Sequence, residues 1–404
     1  MNNETSAVPS RVYKGLSEHA LRISSGSDSP FFTLLGLAAD RQDLISLGMG
    51  EPDVPTPKHI IDAAKKALDD GLTTYTNPAG IPALREAIAE KLEAEQGLRY
   101  DPKTEIIVTT GAQEAMAVIM LTLLNPQEEV LLASPFYQAY DTNIKLAGGV
   151  PVGVPTTESD DFQMTGPMIE PLLTDRTKLL TVITPNNPTG AVLTAESLES
   201  ISETARRRDL IVLSDEIYDK IVYDDHKHVS IAALEGMRQR TIVINGFSKT
   251  YSMTGLRVGY MAGPADYIQA AVEPRHGLSI SSPTPFQYAA LAALTGPQDF
   301  IADLIVEYTE RRNIMAAVFD ELGVTYSLPR GAFYFWAKIT GAGVSSFEFC
   351  RRGVEDHGLL FFPGSMYGEE GEGFIRISYL APRDQLVAAL ERFARLYREC
   401  QATQ

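Results

Sequence analysis

Five short apolar runs in the middle of this 404-residue chain each end on residues equipped for chemistry. Ile106-Ile107-Val108 leads into Gly111-Ala112-Gln113, where free N–H groups at a helix start would hold an anion such as phosphate. Val130-Leu131-Leu132 leads into Pro135-Phe136-Tyr137, whose tyrosine ring could lie flat against a planar group. Leu179-Leu180-Thr181-Val182-Ile183 leads into the turn-rich Pro185-Asn186-Asn187-Pro188-Thr189-Gly190 and its side-chain amides. Leu210-Ile211-Val212-Leu213 leads into Asp215-Glu216-Ile217-Tyr218, and carboxylates ending a buried run need a cation or a donor. Thr241-Ile242-Val243-Ile244 leads into Gly246-Phe247-Ser248-Lys249-Thr250, an amine between strand and helix, where function concentrates. Arg257, a little further on, would supply a charge-assisted contact to a phosphate. Each feature alone has a plainer reading: a strand-to-helix turn, a packed ring, a bare turn, a surface lysine. Their shared position gives them weight.

That position depends on the elements. The runs are β-branched or leucine-rich without polar alternation, the pattern of strands buried on both faces of a mainly parallel sheet. Between them lie amphipathic segments. From Ala195 to Arg208, Thr194 is the expected N-cap, Leu198, Ile201 and Ala205 share a face, and Arg206 to Arg208 close the helix where cations suit the dipole. Strands alternating with helices predict an α/β fold. In such open sheets the carboxyl ends of parallel strands form the ligand crevice, so all five clusters would meet there. From about Gly296 the texture changes. A long helix is expected from Ile301 to Leu322, stopped by Gly323. Short strands follow at Ala332 to Ile339 and Gly373 to Ser378, then a last helix from Arg383 to Tyr397. The expected division is an N-terminal arm and part of a small domain at 1–47, a large domain at 48–296, and a small C-terminal domain at 297–404.

Composition narrows the function. Hydrophobic residues make up 44% and charged residues 22%, enough apolar surface to exclude disorder as the main state. The net charge of −17 argues against a nucleic-acid partner but not against a small phosphorylated ligand in a local pocket. Cys350 and Cys400 have neither disulfide-framework nor metal-ligand spacing and read as reduced thiols. The N-terminal residues have no apolar signal core, and the apolar stretch from Ala115 to Leu124 is about half of what a bilayer needs. A cytoplasmic protein with no membrane partner is expected. Asp224-Asp225-His226-Lys227-His228 looks like a metal cluster by composition, but lacks partners at ligand spacing and reads as a solvated loop, so no metal is expected. The first 45 residues, polar around Ser24 to Ser29 and aromatic at Phe31 and Phe32, read either as a mobile arm or as a lid over a site.

Taken together and in order, these motifs resemble the pyridoxal-phosphate-dependent aminotransferases of fold type I, class I, the aspartate, aromatic and alanine aminotransferase group. The resemblance runs from Ser46-Leu47-Gly48-Met49-Gly50-Glu51-Pro52-Asp53 to Ile375-Arg376-Ile377-Ser378. Its most specific pieces are Asn186 to Gly190, Ser214 to Tyr218, and Asn245 to Lys249 with Arg257. It implies a large, mainly parallel three-layer α/β/α sheet domain and a smaller α+β domain built from both chain ends. It implies pyridoxal 5'-phosphate as cofactor, with Lys249 forming the Schiff base with its aldehyde and Asp215 paired with its ring nitrogen. Asn187 and Tyr218 would hydrogen-bond the ring oxygen, and Tyr137 would stack on the ring. Arg257, Ser248 and the amides of Ala112 and Gln113 would hold the phosphate. Tyr75 would reach the phosphate of a neighbouring subunit, making the active unit a homodimer. Arg376 would clamp the substrate α-carboxylate, helped by the Gly50 backbone.

The implied reaction moves the amino group of an L-amino acid to a 2-oxo acid, 2-oxoglutarate or pyruvate, by a ping-pong mechanism with Lys249 as general base. Three departures bear on the substrate. Gly246 replaces a phosphate-binding serine common in the class, although Gly is usual in this branch. Gln113 stands where some aspartate-specific members carry lysine, and Leu256 where many carry tryptophan. They lean the reading towards a broader or more hydrophobic donor. The same site would also suit a lyase or a cyclopropane-forming synthase. A cofactor-sensing regulator is the less favoured reading, because no basic recognition helix is visible. A nicotinamide enzyme is disfavoured, because Gly48-Met49-Gly50 lacks the third glycine.

Overall fold

A computed structural model describes residues 29–39 and 41–402. Its centre is a seven-stranded sheet: β1 (Ile106–Thr109), β2 (Glu129–Ser134), β3 (Val150–Pro155), β4 (Thr177–Ile183), β5 (Ile211–Asp215), β6 (Thr241–Gly246) and β7 (Gly259–Ala262). The spatial order is β1-β7-β6-β5-β4-β2-β3. Strands β3, β2, β4, β5 and β6 pair in parallel, while β7 runs antiparallel to both β6 and β1. All five strands expected from the sequence therefore point the same way. Register aligns their ends, with Ile183 beside Asp215 and Asp215 beside Ile244.

The uninterrupted apolar runs reflect burial on both faces. Along β6, Ile242 and Ile244 enter one core cluster and Val243 another. Along β4, Leu179 and Ile183 face one layer while Leu180 and Val182 face the opposite one. Helices cover both sides, giving three layers. The helix Ala195–Arg207 is built as its sequence predicts: Thr194 Oγ1 accepts the Ser197 amide at 3.1 Å, and Leu198, Ile201 and Ala205 are buried.

A second, antiparallel sheet gathers Thr325–Tyr326, Tyr334–Lys338, Phe362–Pro363 and Phe374–Ser378. The long helix Asp299–Leu322 ends at Gly323, whose φ of 67° is the left-handed conformation of a glycine C-cap. The last helix spans Arg383–Ala402. Together with Ser346–His357 these elements share one core rich in aromatic rings, including Phe319, Phe335, Phe349 and Phe393. The N-terminal side joins this layer through Ile45–Ser46, which pairs in parallel with Leu359–Leu360. Among the described residues, no single helix is long and apolar enough to cross a membrane.

Three expectations change. Strands β3 and β7 are not expected from the sequence, because Val150–Pro155 contains two prolines and a glycine on a sheet edge, and Gly259-Tyr260-Met261-Ala262 has no β-branched residue. Ser24 to Asp28 of the expected arm lie outside the described residues, but its aromatic part is a regular helix, Pro30–Ala39. Finally, the 224–228 segment is not wholly a solvated loop. Asp224 binds Arg312, and the side chain of His228 is only 3% exposed and sits 3.0 Å from Glu216.

Candidate active site

A cleft of about 950 Å³ opens at the carboxyl ends of the parallel strands. Its walls bring together Gly50, Ala112, Gln113, Tyr137, Asn187, Asp215, Tyr218, Ser248, Lys249, Arg257 and Arg376. Those positions span most of the sequence: parallel strands deliver the residues from Ala112 to Lys249 to one edge, and Gly50 and Arg376 meet them from outside that sheet. Tyr75 is the exception: it does not line this cleft and is 77% exposed.

One end of the cleft is an anion cradle. The helix Ala112–Leu123 begins there, so the N–H groups of Ala112 and Gln113 are unsatisfied by its own turns. Gly111 before it has φ of 82°, and a Cβ there would sit 2.6 Å from Arg257 Nη2. A Cβ on Gly259 would fall 2.5 Å from the Ala112 nitrogen. Two missing side chains thus allow a guanidinium to lie against a helix N-terminus. Arg257 itself is held at φ 55°, a left-handed conformation uncommon outside glycine, and its Nη1 donates to the Thr254 carbonyl at 2.9 Å. Ser248, next to Lys249 in sequence, lines the same cleft.

Deeper in, Asp215 and Lys249 supply a buried acid and a half-buried amine. Burial pushes the Asp215 carboxyl up to about 6, against the opposing pull of the Tyr140 hydroxyl, which donates to Oδ2 at 2.6 Å, and the Ile217 amide. Burial also lowers Lys249 to about 8, reinforced by the charges of Arg376 and Arg257. Lys249 Nζ donates to the Gly50 carbonyl at 2.5 Å. At pH 7.5 about a quarter of such an amine is the free base, against about 0.1% for an ordinary lysine.

Arg376 forms the opposite wall, reaching in from Phe374–Ser378. Its Nη1 donates to Asn187 Oδ1 at 3.0 Å and its Nη2 to the Gly48 carbonyl at 2.5 Å. Its guanidinium lies 4.4 Å from the Tyr334 ring centroid, 5.1 Å from Tyr367 and 5.7 Å from Phe362. The buried Nε–H has no partner among the described residues, a donor available to an anion. Gly50 lines the same cleft, its carbonyl taken by Lys249. Tyr218 Oη is 3.1 Å from Tyr334 Oη, and its burial keeps the phenol protonated.

The residues of this cleft match a phosphorylated, flat, aldehyde-bearing ring: an anion cradle at one end, a tyrosine along the wall, an acid at the floor and a partly deprotonated amine within reach. The model of the aminotransferase class I and II family matches residues 42–393. This chain belongs to that family. An aromatic-amino-acid aminotransferase of Thermococcus litoralis is 41% identical over 380 residues, covering 94% of this chain and 98% of its own. An aspartate aminotransferase of Pyrococcus abyssi is 41% identical, covering 95% and 99%. The solved aromatic aminotransferase of Pyrococcus horikoshii is 42% identical with a TM-score of 0.86, covering 91% and 99%. The chain is therefore an aminotransferase by family, and members of this family are generally dependent on pyridoxal phosphate.

Several residues in and around the cleft carried no readable signal in the sequence. Tyr140, on the helix Ala139–Leu146 and outside the cleft lining, reaches Asp215 through a contact that only the fold creates. Tyr334, Phe362 and Met366 come from the second sheet and its loops, and only the tertiary fold brings them across. Phe31 also lines the cleft, its ring 5.1 Å from that of Phe362.

Proposed function

We propose that this protein binds pyridoxal 5'-phosphate in the cleft and transfers the amino group of an L-amino acid to a 2-oxo acid by ping-pong kinetics. The observation that carries the proposal is the pair of Lys249, lowered to about 8, and Asp215, raised to about 6, beside an anion cradle. When bound, the cofactor supplies an electron sink and a carbon that carries the amino group from one acid to the next. Gly111 and Gly259 leave room for Ala112, Gln113, Ser248 and Arg257 to hold its phosphate. Tyr137 would pack on the ring. The Asp215 carboxylate, oriented by Tyr140, would pair with the ring nitrogen and keep it protonated. Asn187 and Tyr218 would hydrogen-bond the ring oxygen. Lys249 would hold the aldehyde end through its amine and, as the free amine, would act as general base for the substrate Cα proton. Arg376 would bind the substrate carboxylate and so orient the substrate.

The homodimer belongs to the same proposal: exposed Tyr75 would complete the phosphate site of a second copy. So does the division into a large domain at 48–296 and a small one made from the arm at 1–47 and residues 297–404, with the substrate held between the two sheets. The cleft mouth favours donors with bulky apolar side chains. Its rim carries Phe31, Phe32, Met49, Phe362 and Met366, and Lys145, a lining cation with no part in the chemistry above, is paired with Asp141 at 2.7 Å. Half-reaction rates over the common amino acids, followed by 2-oxoglutarate or pyruvate as acceptor, test this reading. Glutamate or alanine formation is expected, with phenylalanine or leucine outpacing aspartate. Ammonia release without an acceptor acid would favour a lyase instead.

A further inference from the structure

The strand β5 and the residue after it carry two carboxylates that point to opposite sides. Asp215 enters the cleft, whereas Glu216 is 2% exposed and faces the layer behind the sheet. Glu216 Oε1 accepts from Ser214 Oγ at 2.8 Å and Ser230 Oγ at 2.6 Å, and its Oε2 lies 3.0 Å from His228 Nε2. Its backbone N–H donates to the Ile244 carbonyl, so it is pinned through main chain and side chain alike. Three residues on, Asp219 is also buried and accepts from Lys91 Nζ at 2.7 Å. Between these anchors, Tyr218 turns back into the cleft. None of the chemistry assigned to the cleft uses the buried imidazole.

We propose that Glu216 and His228 form a buried ionisable pair that positions Asp215 and sets the charge it experiences, making both positioning residues for the amino-transfer reaction. The inference rests on the role given to Asp215 above. A neutral imidazole leaves Glu216 as a full negative charge one residue from Asp215. A protonated imidazole makes the pair neutral overall. Because the Asp215 carboxylate would keep the ring nitrogen protonated, the charge beside it would change how tightly that proton is kept. His228 Nδ1 is buried and, among the described residues, has no hydrogen-bond partner, so no second hydrogen bond fixes the state of the imidazole. The charged groups facing it are Glu216 and Asp219 from the strand end and Lys91 from the helix Pro82–Gln96, with Glu95 and Lys220 beyond. The phenols of Tyr100 and Tyr260 lie in the same layer and stay protonated. Burial alone would strip the His228 proton, but Glu216 and then Asp219 more than restore it, so its titration lies above the ordinary histidine range.

The test uses the cofactor-loaded full chain. Histidine-selective NMR should place the His228 midpoint above the ordinary range and move it down by at least one pH unit, tenfold, in Glu216→Gln. The wild-type kcat should show an ionisation at that same midpoint. In His228→Gln, whose amide still reaches Glu216, that ionisation should vanish while KM for the amino acid stays within twofold. In Glu216→Gln, kcat should fall about tenfold at unchanged KM. If His228→Gln lowers the melting temperature yet leaves the pH profile unmoved, the pair only supports packing and the proposal is overturned. Should neither variant fold, Ser230→Ala decides: the NMR midpoint and the kinetic midpoint must shift together. A normal pH profile in His228→Gln beside an inactive Asp215→Ala refutes this inference alone. A fully active Asp215→Ala refutes the reading beneath it.

Discussion

Replacing Lys249 with methionine should stabilise the cofactor-free protein at neutral pH. The amine falls from 10.5 to about 8 on folding, because burial and the charges of Arg376 and Arg257 disfavour its ammonium form. A lowered lysine acts against the fold: below about pH 8 the group is charged in both states, and the folded state bears the full cost. That cost is about 3 kcal/mol, from 2.5 pH units at about 1.4 kcal/mol each. It shrinks as pH rises through the window from 8 to 10.5 and is gone above it. Methionine keeps the stem and removes the charge, but forfeits the hydrogen bond to the Gly50 carbonyl, about 1 kcal/mol. The expected net gain is about 2 kcal/mol at pH 7, falling to near zero by pH 9.5, where the remaining cost is about 1.4 kcal/mol. Urea unfolding of both cofactor-free proteins, followed by circular dichroism at the two pH values, measures it. A Lys249→Met variant less stable than wild type at pH 7, or a gap that does not narrow with pH, would refute the argument. The same variant should lose essentially all amino transfer, the trade between stability and function expected of a strained site.

Other consequences follow from the same geometry. Arg376→Lys should raise KM for amino acids at least tenfold, because a point charge cannot keep the Asn187 and Gly48 bonds while meeting a carboxylate, and steady-state kinetics will read it. Gly111→Ala should weaken cofactor binding about tenfold or more without unfolding the chain, since its Cβ would press on Arg257 at a positive φ, and equilibrium dialysis will show it. Tyr140→Phe removes the hydroxyl that favours the Asp215 carboxylate, so Asp215 should titrate higher and the acid limb of the half-reaction should move up by about one pH unit or less.

Much of this architecture was legible because burial on both faces of a parallel sheet writes continuous apolar runs, and the residue after each run is where chemistry sits. The capped helix at Ala195–Arg207 and the stop at Gly323 were equally readable, since caps are local. Strands β3 and β7 were not, as an edge strand with prolines and a short strand without β-branched residues leave little local pattern. The buried state of His228 was missed because its partner Glu216 becomes a neighbour only through the turn that follows β5. The aromatic enclosure of Arg376 likewise comes from Tyr334, Phe362 and Tyr367, scattered over separate elements of the second sheet and its loops. Local rules found the strand ends, whereas the contacts across the cleft needed the fold.

The central claim is that Lys249 is the residue that holds the cofactor. Borohydride reduction of the cofactor-loaded protein, followed by proteolysis and mass spectrometry, tests it most directly. The account predicts a single stable phosphopyridoxyl adduct on the peptide containing Lys249. An adduct on another lysine, or an unmodified Lys249 peptide from fully loaded protein, would contradict it.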